Sequence, residues 1–169
     1  MDEKRIKEAE KNIPNYLEDG LLSKVKLPNK KIQDIYEKNA LESIETAEKI
    51  DSNLWIIVCS YYAMFYIANA VLYKIGYKTG EKVVHKVTSD CLIVYVRKKL
   101  EKNLLKEYEE AKKEVQDLLK ADEIISTYDK ELDKRSTFQY GTAEEVKKAK
   151  AETSLNRAKL FVAEMRKLL

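Results

Sequence analysis

Asn53–Tyr73 reads NLWIIVCSYYAMFYIANAVLY, an uncharged run in a chain otherwise rich in Lys and Glu. A helix that is apolar all round belongs at the centre of a bundle or in a membrane. The run is long enough to span a bilayer. Against that, Ser60 and Asn69 lie inside it, and Tyr61 and Tyr62 fall mid-span rather than at an interface. The other periodic segments each carry an apolar stripe that needs a partner. The run is therefore expected to be the central helix of a bundle and not a membrane span.

Working outward, the flanking sequence is helical by pattern. Ile32, Tyr36, Ala40, Ile44 and Ala47 recur at helical spacing between Lys30 and Ile50. Asp51 and Ser52 are expected to turn the chain and cap the central helix. Gly76 should stop that helix, with YKTG as a loop. Residues 81–100 read as helical, with a break at Thr88-Ser89-Asp90 capping a new start. Residues 103–135 form one long helical pattern through Leu104, Tyr108, Ala111, Val115 and Leu118. Gly141 suits its stop, and Thr142 with Glu145 looks like a capping box. The last helix, about 143–168, has its stripe at Ala151, Leu155, Ala158, Val162, Met165 and Leu169. At the other end, residues 2–19 form an amphipathic segment broken or bent at Pro14, and Gly20–Asn29 reads as a loop.

Composition bounds the answer. The 169 residues suit one domain, 36% are charged, and only four Gly and two Pro interrupt them. An all-α, up-and-down bundle of about five helices follows. The net charge of +3, from 32 basic and 29 acidic residues, is weak electrostatic support for nucleic-acid binding. Cys59 and Cys91 match no metal spacing and read as buried free thiols. No Gly-rich phosphate loop, Walker-type motif, zinc spacing or Ser/His/Asp set is visible, so no cofactor or metal is expected. MDEKRIKEAEK has no signal-peptide pattern, and a cytoplasmic location is the expectation.

Finer detail adds a resemblance. SYYAMFYIANAVLYKIGYKT, Ser60–Thr79, resembles the second long helix of HEPN-domain proteins, especially the small prokaryotic UPF0332-like group. There a YYAMF-type segment is followed by an alanine-rich helix, a G-x-x-K-T-like turn and a His; here His85 follows Gly76-Tyr77-Lys78-Thr79. The ending, Glu131–Leu169, is similar too. Arg135, four residues and Tyr140 precede Gly141 and a final acidic-to-apolar helix. The resemblance covers roughly residues 30–169, read as a HEPN-like helical bundle, and leaves 1–29 as an N-terminal helical extension.

The resemblance implies a homodimer, and in many such proteins a metal-independent RNase built on an Arg and a His with four to six residues between them. It also implies a toxin–antitoxin setting with a minimal nucleotidyltransferase as partner, and RNA or a nucleotide as ligand. Arg135 matches the Arg, but Tyr140 fills the His position. Tyrosine, with a reference pKa near 10, makes a poor base, whereas His exchanges protons near neutral pH. The alternative is a catalytically inactive dimeric binding subunit.

Each candidate has a plain structural reading beside it. Arg135 could clamp a phosphate, or end a helix beside Glu131 or Asp133. Tyr140 could stack a base, bond a phosphate or accept a nucleotidyl group, or simply pack beside a helix end. His85 could be a displaced acid/base, or a solvated or capping residue. Tyr61, Tyr62, Tyr66 and Tyr73 cannot all face one way, so some belong in the core and some at a subunit interface. Ser60, Tyr62, Asn69 and His85 are the candidate substrate-binding residues, with Ser60 and Asn69 needing polar partners if buried. The lysines at 98–99 and 147–150 read as solvated faces.

Overall fold

The computed structural model describes residues 3–99, 108–113 and 141–169. It is 79% helical, with six helices and one two-stranded sheet, the all-α bundle expected. The expected 103–135 helix lies outside the described residues except for a helical piece at 108–113, here α5.

Helix α3 (Asn53–Lys74) is the axis, and 14 of its 22 residues are buried. It packs mainly between α2 (Lys30–Lys49) and α6 (Gly141–Arg166). Its alanines at 63, 68 and 70 are fully buried, which lets neighbouring backbones approach. α3 alone among the described helices is long and apolar enough to cross a membrane, and 67% of its apolar window is buried inside the bundle.

The neighbours supply the complementary stripes. α2 starts at Asn29, whose side chain accepts the Lys31 backbone N–H at 2.9 Å, a standard N-cap. It buries Ala40 and Ala47 as the periodicity expects, together with Gln33. α6 buries Ala151, Ser154, Ala158, Phe161 and Met165, with Val162 beside them. The first five are spaced 3-4-3-4, a knobs-into-holes seam. Ser52 occupies the N-cap position of α3, but its side chain makes no capping bond.

Several local expectations are corrected. α1 (Glu3–Glu18) continues through Pro14 without a break. The ring sits on its exposed side, and burial of Ala9, Ile13 and Tyr16 holds the helix together. The 20–29 loop contains strand β1 (Leu22–Lys24), and the YKTG loop contains β2 (Tyr77–Thr79). The two pair antiparallel, with Leu22 opposite Thr79 and Lys24 opposite Tyr77. Gly76 makes this possible: its φ is +92°, and a Cβ there would meet the Val25 carbonyl oxygen at 3.2 Å.

The expected break at Thr88-Ser89-Asp90 does not occur either. α4 (Val84–Cys91) runs straight through, and all three polar residues are fully buried. A single π turn (Leu92–Val96) and a 3₁₀ turn (Arg97–Lys99) follow. Gly141 is the first residue of α6; the helix it was expected to stop lies outside the described residues at that end.

Candidate functional site

The chain reverses twice after α3, and the reversals fold the next segment back onto it. The first is the turn at Gly76 into β2, which brings Thr79 alongside α3. Its hydroxyl donates to Asn69 Oδ1 at 2.9 Å. The second passes through Val83, which takes a left-handed φ of 45° although it is β-branched. Such a conformation costs a non-glycine residue about 1–2 kcal/mol. It starts α4 in the direction that lays His85 and Thr88 along α3.

Asn69 is thereby saturated. Its amide N–H group donates to the Phe65 carbonyl at 2.9 Å and reaches the Thr88 hydroxyl at 3.4 Å. It is buried and links α3, β2 and α4, so it acts as a structural bolt and offers no open polar group.

His85 lies two helical positions after Val83 and is half-buried. Its Nδ1 is 2.8 Å from the Tyr61 hydroxyl. The ring sits against Phe65, Tyr61 and Tyr62, at centroid distances of 4.7, 5.4 and 6.0 Å. It is neither a solvated residue nor a helix cap. Burial lowers its pKa below the usual imidazole value, and the Lys112 ammonium pushes the same way. The imidazole is therefore neutral near pH 7.

Behind this ring lie Tyr61 and Tyr108, with centroids 6.1 Å apart. Burial holds both phenols well above their usual range. Lys112, on α5 with Tyr108, is mostly buried; burial lowers its pKa, and Glu109 only partly opposes this. Glu109 stands 3.9 Å from Lys112 and 3.5 Å from Arg5.

One turn further along α4 is Asp90, fully buried. Its Oδ1 accepts from Arg5 at 2.5 Å, and its Oδ2 accepts from Asn12 at 2.9 Å and Tyr16 at 2.8 Å. All three donors are on α1. The segment at 1–29 is thus fastened to the bundle by a buried carboxylate as well as by the β1–β2 pair.

Of the sequence-selected residues, Tyr62 and His85 come together, and Asn69 lies one helical turn beyond Phe65. Ser60 is buried elsewhere on α3, its hydroxyl without a partner among the described residues. Arg135 and Tyr140 lie outside the described residues. Tyr61, Phe65, Lys112 and the α1–Asp90 set were not singled out as site residues. The signal for Asp90 was a polar triplet, Thr88-Ser89-Asp90, embedded between apolar residues at helical spacing. Among the described residues, no group of three or more His, Cys, Asp or Glu could hold a metal ion. Comparison with family models, curated proteins and solved structures finds no match to the chain.

Proposed function

We propose that this is a HEPN-type protein associated with nucleic acid or nucleotides, acting as the RNase component of a toxin–antitoxin pair. On this reading it works in the cytoplasm as a homodimer, with a minimal nucleotidyltransferase as its partner. One observation carries the proposal. Residues from the first of the two stretches that carry the resemblance are separated by up to 24 positions, yet they are joined in space: Tyr61 to His85 by a hydrogen bond and Phe65 to His85 by ring contact. A signature whose parts converge is the pattern a working site produces, since chemistry needs side chains from several elements at one place.

The test is cleavage of a mixed RNA pool by metal-free protein, with Arg135→Ala and Tyr140→Phe alongside. Cleavage by the wild type that Arg135→Ala abolishes is the expected result. No cleavage by a folded dimer sinks the nuclease and leaves the binding subunit.

That second reading has its own support. Trp55, Cys59, Tyr62 and Tyr66 follow one another at 4-3-4 spacing on α3 and stay partly or largely exposed, Trp55 by 52%. An aromatic, uncharged stripe on an otherwise buried helix suits a protein interface. On this view the protein dimerises and holds a partner without chemistry of its own.

A further inference from the structure

We propose that the lysine-rich turn between β1 and α2 is a docking surface for an anionic lipid bilayer, with Leu27 entering the headgroup layer. The inference goes beyond the HEPN-type reading and does not depend on it. Residues 24–31 read KVKLPNKK, and no acidic residue occurs between Asp19 and Asp34. Lys24, Lys26, Lys30 and Lys31 are all exposed, and β2 adds the exposed Lys78, which pairs with Ser23. Of these lysines only Lys30 has an acidic partner among the described residues, Asp34 at 2.9 Å. Leu27 stands in the middle of the cations. It is 89% exposed, more than any other large apolar side chain among the described residues.

The turn is held at both ends. The Val25 N–H donates to the Gly76 carbonyl at 2.8 Å. Pro28 has its φ locked by its ring, and Asn29 caps α2 through the Lys31 N–H. Inserting Leu27 therefore costs little further ordering of the chain. Lys30 and Lys31 are also placed against local helix stability. They fill the first turn of α2, which contains no acid, where the helix dipole favours negative side chains. A negative surface facing this end is attracted by the lysines and by the dipole together. Asp19 and Glu81 lie toward the other end of the β1–β2 ribbon, where Leu22 pairs with Thr79.

The chemistry favours lipid over nucleic acid. Arg forks suit the reading of single phosphates, and exposed aromatic faces suit the stacking of bases. The turn contains no Arg. Tyr77, the aromatic residue of the ribbon, is already stacked on Tyr95, with centroids 4.1 Å apart. A leucine among lysines combines the two attractions of a bilayer surface: anionic headgroups for the cations and the acyl boundary for the apolar side chain. The attachment is peripheral, since α3 stays buried in the bundle.

The test sediments the full chain with vesicles of phosphatidylcholine alone and of phosphatidylcholine and phosphatidylserine in equal parts. Binding is expected to the mixed vesicles and not to phosphatidylcholine. Each lysine near such a surface strengthens partitioning about fivefold, so Lys26→Ala combined with Lys31→Ala should lose about 25-fold. Leu27→Ser should lose about tenfold. All three side chains are exposed, so these variants keep the fold. A second readout follows the inserted side chain itself. Trp55→Phe removes the single Trp, and adding Leu27→Trp to it should give emission that brominated acyl chains in the mixed vesicles quench. Equal binding to both vesicle types overturns the inference, as does Leu27→Ser binding like wild type. Unquenched emission from vesicle-bound protein overturns it too. Binding of a single-stranded RNA oligonucleotide that the lysine variant loses, with no vesicle binding, assigns the patch to nucleic acid and overturns the lipid reading.

Discussion

Asp90 gathers three long-range hydrogen bonds from one helix, although its own sequence neighbourhood, Thr88-Ser89-Asp90, reads as a local helix cap. Removing one partner of a buried ion pair costs about 3–5 kcal/mol, because the other charge is left without compensation. Asp90→Ala would take this acceptor from Asn12 and Tyr16 and leave Arg5 with its longer contacts to Ser89 and Glu109. The expected outcome is a loss of that size in urea unfolding, with Asp90→Asn losing less because it can still accept hydrogen bonds. An unfolding midpoint for Asp90→Ala equal to wild type would mean that α1 is not held through this carboxylate. His85 yields a second prediction at this scale. Its folded pKa lies below the ordinary 6.5, so between the two values the unfolded chain binds more proton. Stability therefore rises with pH across that window and is lost as pH falls through it. His85→Gln should flatten this part of the profile, read as the difference between wild-type and variant urea midpoints at about pH 7.5 and about pH 5. At this scale the sequence flagged His85, Tyr62 and Asn69 as chemically notable. It could not assign their partners, since hydrogen-bond partners 10 to 24 positions away depend on where the chain reverses.

Helices and turns were legible where periodicity was strong and misread where polar residues or breakers invited a local explanation. α2 and α3 fall where their apolar spacing and the Ser52 and Gly76 punctuation put them. Thr88-Ser89-Asp90 looked like a cap because those residues favour caps when no tertiary partner exists. Here Asn69, Arg5, Asn12 and Tyr16 supply the partners, and the helix continues. Pro14 looked like a break because its missing N–H and its ring oppose a helix interior. Packing of Ile13 and Tyr16 outweighs that penalty. Pro14→Ala should restore the lost backbone bond and stabilise the protein by about 1–2 kcal/mol, seen as a higher thermal midpoint. An unchanged or lower midpoint would show that the proline is accommodated without cost. Val83 offers a similar gain. It is 59% exposed, so Val83→Asn loses little burial, eases the left-handed backbone and adds a capping side chain to α4. The expected stabilisation is about 1 kcal/mol.

Across the whole molecule, the interior is rich in phenols and thiols that burial keeps protonated. Tyr16, Tyr61, Tyr95 and Tyr108 are all held above the usual tyrosine range, and burial pushes Cys91 up to about 12. In the unfolded chain these groups ionise near pH 10 and about 8.5. The folded state then holds more protons, so stability is full below those values and lost as pH rises through them. Denaturant midpoints should drop between about pH 8 and about pH 11, with tyrosinate absorbance rising together with loss of helix. Tyrosinate appearing in a still-helical protein would mean that the phenols reach solvent without unfolding.

The sequence by itself determined the fold class and the identity of the central helix, because both follow from local quantities. Few breakers, helical spacing of apolar residues and one uncharged run leave the chain little alternative to a bundle around α3. Tertiary structure decided which partners the polar residues found. Asn69 and Asp90 are saturated because β2, α4 and α1 return to them, while His85 is bonded through one ring nitrogen, to Tyr61. Those outcomes depend on two reversals, at Gly76 and Val83, and on the docking of α1. The energies involved belong to contacts between residues far apart in the chain, which no local pattern encodes.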